Sequence, residues 1–362
     1  MGIFNYEEFD YDTVVKTNKG RHEKFKKYKD VYVNKENKKT YIEVFYNCFG
    51  KIKEIFSYID SKKNDLNGMA AVLKFNSEGE IYYEAHYLNG LFHNTNGPAI
   101  KICSEYFPNI ILEQHYMKNG KYHKFDGPAV IIRDLGSNST TSKYYINGKI
   151  HRIGDLPAII TVNENGNITS EVFYKRGRQH RDGDLPAVIK RFKNGVLQKE
   201  VYLKNGKKHR DNGKPALITY RKNGAVKREC YFVDGKIDET KEAYATEYFS
   251  KHTIKKQSFS LGNGYTYTIK FGADGNKRKI VCLKNGKKHN AFGPAEVEYN
   301  STGEITEEYF YLDGVMVDDM TFMIRSGSEC VSKEQDIFNK IIYEEENWFS
   351  SFLCLFFLKK SI

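Results

Sequence analysis

Two-residue turns recur along this chain at almost constant spacing, and that regularity restricts the fold more than any composition figure. Asn89-Gly90, Asn119-Gly120, Asn147-Gly148, Arg176-Gly177, Asn205-Gly206, Asp234-Gly235, Asn263-Gly264, Asn285-Gly286 and Asp313-Gly314 are separated by 30, 28, 29, 29, 29, 29, 22 and 28 residues. Asp60-Ser61 extends the series one step of 29 toward the N-terminus. A fixed period of this size marks a repeat protein whose units stack on one another. A second turn stands eleven residues before many of these glycines, at Gly50, Gly79, Gly166, Gly195, Gly224, Gly275 and Gly303. Asn-Gly and Asp-Gly supply the positive φ of tight hairpin turns, and the interval between turns suits one strand.

Side chains support strands over helices. Three and five residues before the turn glycine the chain is apolar, as in Leu203 and Val201 or Phe232 and Cys230. Six before it stands an acid (Glu84, Glu171, Glu200, Glu229, Glu308), and four before it an aromatic (Tyr116, Tyr144, Phe173, Tyr202, Tyr231, Phe310). Period two predicts one strand with two distinct faces. The returning strand opens on Pro-Ala at residues 98, 128, 157, 186, 215 and 294, which uses six of the seven prolines. Proline fits a strand's first residue, and the small residue after it predicts close backbone packing.

Between the two strands lies a loop of the form Gly-Lys-x-His-Arg-x-x-Gly-x-Pro, fullest from Gly206 to Pro215. His93, His123, His151, His180, His209 and His289 each follow a turn glycine by three residues, and Arg152, Arg181 and Arg210 follow three of them directly. At Gly264 the loop is missing and the step falls to 22, so the hairpin is expected to form without it.

The histidine row invites a metal or catalytic reading, but strand spacing opposes it. Two strands per repeat set equivalent residues about 9–10 Å apart, too far to share one zinc ion. No P-loop, Gly-x-Ser-x-Gly or His-Glu-x-x-His is present. The expected role is structural, an imidazole hydrogen-bonded to backbone of its own loop. A basic edge survives as a candidate binding surface, made of the six histidines, the three arginines and Lys207, Lys208, Lys287 and Lys288. A net charge of +11 permits contact with anionic lipid or nucleic acid.

Three segments are expected: a basic N-terminal cap over residues 1–40, about ten hairpin repeats over 41–320, and a helical tail over 321–362. The tail carries Trp348, Phe349, Phe352, Phe356 and Phe357. Its apolar run is too short to span a bilayer, so it caps the last strand or docks on a partner or membrane surface. Six scattered cysteines without Cys-x-x-Cys spacing predict reduced thiols and, with no signal peptide, a cytoplasmic protein.

Tyr202-Leu-Lys-Asn205-Gly206-Lys-Lys-His209 resembles the MORN repeat and the related hairpin repeats of a bacterial antitoxin-like group. The longer His-Arg/Gly-Pro-Ala form resembles repeats found in large DNA viruses and bacteria. MORN units are nearer the 22-residue step and carry a glycine in the first strand, where this chain has a polar residue. The resemblance covers about three quarters of the chain. It implies an all-β, elongated antiparallel hairpin meander acting as a non-enzymatic scaffold for protein–protein interaction. That role requires no cofactor, metal or small-molecule substrate. Peripheral binding to an anionic membrane or nucleic acid, and antitoxin-like inhibition, stand as alternatives.

Overall fold

Antiparallel pairing of sequence neighbours is the only rule needed to describe the sheets. The computed structural model describes residues 11–16, 28–34 and 36–318. The chain divides into two compact units, Met1–Gly195 and Val196–Ile362. In the first, Tyr11–Lys16 pairs with Tyr28–Asn34, which pairs with Thr40–Tyr46. The meander continues through Ile52–Ile59, Val72–Phe75, Ile81–Ala85, Ile100–Cys103 and Ile111–His115, and on to Val188–Arg191. In the second it runs from Leu197–Val201 through Leu217–Tyr220, Val226–Cys230 and Ala245–Tyr248 to Ile305–Leu312. No helix occurs among the described residues. The sheet thus begins inside residues 1–40, whereas the tail and its five aromatics lie outside the described residues.

The strand expected before the turn glycine is in fact two strands at Gly90, Gly120, Gly148, Gly177, Gly206 and Gly235, and runs unbroken before Gly264, Gly286 and Gly314. Val201 ends one in the main sheet, and Leu203–Lys204 starts a small hairpin with Lys207–Lys208. Tyr202, between them, is the hinge. Its N–H donates to the Ala216 carbonyl at 2.8 Å, and its carbonyl accepts the His209 N–H at 3.1 Å. The backbone therefore serves the main sheet on one side and the small hairpin on the other. The same pair of bonds recurs at His86, Tyr116, Tyr144 and Phe173. Alternation alone does not reveal this hinge, because an aromatic four residues before glycine also fits an unbroken strand.

Within each unit the small hairpins form a row of their own. They are Tyr87–Phe92, Met117–Tyr122, Tyr145–Ile150 and Tyr174–Gln179 in the first unit, and Leu203–Lys208 and Phe232–Ile237 in the second. Asn205 and Gly206 turn with φ of 52° and 84°, both left-handed, as a tight hairpin requires. In the first unit the turn glycines donate their N–H to the hairpin before them: Gly120 to Phe92 at 2.8 Å, Gly148 to Tyr122 at 2.9 Å, Gly177 to Ile150 at 3.0 Å. The inner faces hold the apolar side chains, with Tyr122 and Tyr145 ring to ring at 4.9 Å.

Each Pro-Ala alanine sits where the two rows meet. Ala99, Ala129, Ala158, Ala187 and Ala216 are fully buried, and Ala216 also donates to Cys230 O at 2.9 Å. A larger side chain has no room there. Dry clusters are confined mainly to two places. Ile42, Val44, Ile55, Leu66, Ala70 and Leu73 form one in the first unit, and Phe259, Tyr267, Ile269, Ile280, Cys282, Val297 and Tyr299 one in the second.

Candidate functional site

The histidines join consecutive repeats. His209 Nδ1 accepts the backbone N–H of Asp234, in the next turn, at 3.1 Å, and its Nε2 meets Asp211 Oδ1 at 2.9 Å. That pattern calls for the Nε2–H tautomer. His93 accepts from Asn119 N at 3.2 Å, His123 from Asn147 N at 3.5 Å and His289 from Asp313 N at 2.9 Å. His180 reaches Asp182 at 2.9 Å, and His151 Nδ1 lies 3.5 Å from the Tyr174 carbonyl. The partners belong to the neighbouring hairpin as well as to the histidine's own loop. Asn64, three residues after Ser61, does the same work with its amide oxygen, accepting from Asn89 N at 3.1 Å.

The arginines fold back over the hinge aromatics. Arg152 lies over Tyr144 at 3.8 Å, Arg181 over Phe173 at 3.7 Å and Arg210 over Tyr202 at 3.6 Å. Each also donates to the proline carbonyl of its own loop, at Pro157, Pro186 and Pro215. Arg181 in addition grips Asp155 of the preceding loop with two bonds, 2.8 and 2.7 Å, and this guanidinium holds the Asp155 carboxyl below its ordinary range. Where the loop is one residue shorter, Asn94 and Asn290 take the arginine's place and donate to Pro98 and Pro294 at 3.0 Å. The third short loop, Gly120 to Pro128, instead carries Lys124, which stands over Tyr116 at 3.8 Å.

The four lysines of the candidate edge separate into two environments. Lys208 stands over the Phe232 ring at 4.6 Å, and Lys288 over Tyr311 at 4.5 Å while ion-paired with buried Glu296. Burial opposes the Glu296 charge, but Lys279 and Lys288 outweigh it and hold the carboxyl below its usual range. Lys207 and Lys287 point the other way, to the exposed outer face, with no ion pair among the described residues. The structure therefore does not gather the thirteen candidate residues into one surface: most are used inside the stack.

The repeat that turns at Asn89-Gly90 has an ionic version of this clamp. His86 replaces the hinge aromatic, with Nδ1 2.6 Å from Asp65 Oδ2 and Nε2 3.2 Å from Glu84 Oε1. Burial disfavours its charge, but the hydrogen bonds to Asp65 and Glu84 prevail and raise its pKa to about 9. Asp65 is itself fixed by the backbone N–H groups of Ala71 and Tyr87, both at 2.9 Å.

Two surfaces escaped the sequence reading. Phe125, Ile153, Leu156 and Leu185 project from three successive loops and are 95, 72, 49 and 45% exposed. The outer face of the small hairpins presents Lys118, Lys121, Lys149, Lys175, Arg176 and Arg178, all exposed. The signal for the second was in the sequence, as cations two residues before and one after the same turn glycine.

No group of three His, Cys, Asp or Glu side chains able to hold a metal ion occurs among the described residues. Burial pushes the Cys282 thiol up to about 12, away from the reactive thiolate. An open groove of about 510 Å³ near Asn223–Val226 contains Glu229 and Lys251, and Glu229 is occupied by the Tyr248 hydroxyl at 2.9 Å. No described helix is long and apolar enough to cross a membrane. No protein-family model matches the chain, and no curated protein matches it either.

Proposed function

We propose that this protein is a non-enzymatic, MORN-like repeat scaffold that binds another protein along the loop edge of its first unit. One observation carries the reading: the polar side chains of that edge are consumed internally while Phe125, Ile153, Leu156 and Leu185 are left facing outward. The loops that bear them are adjacent. Arg181 binds Asp155 across the last two, and His123 accepts the Asn147 N–H at the base of the first two. Exposed apolar side chains clustered in this way mark protein contact sites. The resemblance to MORN hairpins supports the same reading, since that family implies scaffolding. The test is co-purification from native cells with wild-type chain and the F125S/I153S/L156S/L185S variant. A stoichiometric partner held by the wild type and lost by a folded variant is expected. Equal recovery by both would sink the loop-edge assignment.

A further inference from the structure

The outer face of the small hairpins leads beyond the scaffold reading. Lys118 lies directly opposite Lys121, and Lys175 directly opposite Arg178. The second unit repeats the device with Lys204 opposite Lys207 and Lys284 opposite Lys287. Like charges facing each other across an antiparallel pair destabilise it, and an acid at either position would relieve the repulsion. The chain instead places cations at both in these four hairpins, and a single lysine, Lys149 opposite Ile146 and Lys236 opposite Val233, in two others.

The fold uses the stems of some of them, with Lys121 beside the Gly148 turn and Lys207 beside the Gly235 turn, and pairs Lys204 with Asp211 at 3.9 Å, but among the described residues it leaves most of the first unit's charges without an ion partner. The apolar contacts of each hairpin are made on its inner face, by Met117, Tyr122, Tyr145, Ile150 and Tyr174. Of Lys118, Lys121, Lys149, Lys175, Arg176 and Arg178, only Lys175 has a carboxylate partner among the described residues, Asp182 at 2.8 Å. Hydrogen bonds from Gly148 to Tyr122 and from Gly177 to Ile150 hold the three hairpins in order, so the cations form a fixed line. Two strands per hairpin give that line a pitch of about 9–10 Å.

We propose that this line binds the phosphate backbone of a nucleic acid without reading its bases. The chemistry selects the ligand. Lysine is depleted from protein–protein interfaces, while phosphate contacts are made by such cations. The positions facing outward on these three hairpins are Lys118, Lys121, Ile146, Lys149, Lys175 and Arg178, which supply no aromatic ring for a base and no acceptor for a base edge. The single apolar member, Ile146, gives a membrane little to take up. Phosphate contact of this kind positions a strand and carries no sequence information.

The test uses fluorescence anisotropy with full-length chain and labelled oligonucleotides of about 20 nucleotides, single-stranded and duplex, in two unrelated sequences, between about 50 and 200 mM salt. Expected is sequence-independent binding whose log–log salt slope shrinks in magnitude by about 3 to 4 in K118Q/K121Q/K149Q/R178Q. Affinity at the low-salt end falls at least about tenfold, since each lost phosphate contact removes released counterions. The charge-keeping variant K118R/K121R/K149R binds as the wild type does, which separates charge from folding. The F125S/I153S/L156S/L185S variant also binds nucleic acid normally, which separates this proposal from the protein-docking one. An unchanged slope in the glutamine variant overturns the proposal. So does polyglutamate, or a phosphatidylserine vesicle, binding through the same residues more tightly than the oligonucleotide.

Discussion

Two hairpins of the second unit show what the inserted loop does. From Ile254 to Phe271 the loop is missing, and strands Ile254–Gly262 and Tyr265–Phe271 pair from Lys256–Lys270 to Ser260–Thr266, with one register shift before the turn. Phe259 and Tyr267 stack at 4.5 Å with planes 3° apart, and they are 1 and 0% exposed. From Leu197 to Cys230 the loop is present, the strand breaks at Tyr202, and the ring is covered by Arg210. The loop accompanies this exchange but does not dictate it, since Lys277–Lys284 runs unbroken through Cys282 ahead of a loop of its own. After Gly206 the loop returns the chain at Ala216 and not at the turn, so Tyr202 must serve two partners. In one region two rings stack on each other inside a larger apolar cluster, and in the other the ring packs on Ala216 and Ile218 in a smaller one and is covered by a cation.

The sharpest way to break that contrast is Phe259→Ala, which should cost about 3–5 kcal/mol in urea unfolding because it empties a dry site. Half-buried Leu217→Ala, in the looped repeat, should cost only about 1 kcal/mol. Equal losses would erase the distinction between the two regions. Next in size is Ala216→Leu, expected to cost about 1–3 kcal/mol by overpacking the junction of the two rows. A melting temperature left unchanged would mean the hairpin row is free to move outward.

Arg210→Ala should cost about 1–2 kcal/mol, from the lost ring contact and the lost bond to Pro215 O. Arg210→Lys should restore less than half of it, since an ammonium cannot stack flat on Tyr202 and reach that carbonyl together. Full rescue by lysine would show that charge alone matters there. The smallest effect concerns His86. Its folded pKa, near 9, lies above its unfolded value near 6.5, so its stabilisation is complete below about pH 6.5 and is lost as pH rises through about 9. Unfolding midpoints measured across that window should decline in wild type with an added slope missing from His86→Gln. Parallel profiles would exclude a charged clamp at this hinge.

Much of the fold was legible because its signals are short-range. Asn205-Gly206 specifies a turn with two positive φ values whatever surrounds it, and Asn263-Gly264 running directly into Tyr265 announced the loopless hairpin. The hinge at Tyr202 was hidden, since an aromatic there satisfies the strand pattern equally well. The candidate edge was legible only as a set of positions. His209 finds its acceptor role through Asp234, 25 residues on, and Arg210 its ring at Tyr202, eight residues back across the loop. Neither partner is marked by local spacing. The exchange of Arg for Asn in two of the three shorter loops, by contrast, stood in the sequence and becomes meaningful once Pro157 and Pro98 are seen as the acceptors.

By itself the sequence determined the period, the corners and the antiparallel hairpins, because backbone preference at Asn-Gly and strand alternation act over a few residues. Tertiary structure decided which cations turn inward and which remain outside. That choice depends on rings, carbonyls and carboxylates delivered by other strands and neighbouring repeats: strand alternation sets Lys207 and Lys208 on opposite faces of one small hairpin, and the Phe232 ring of the next hairpin makes the Lys208 face the inner one.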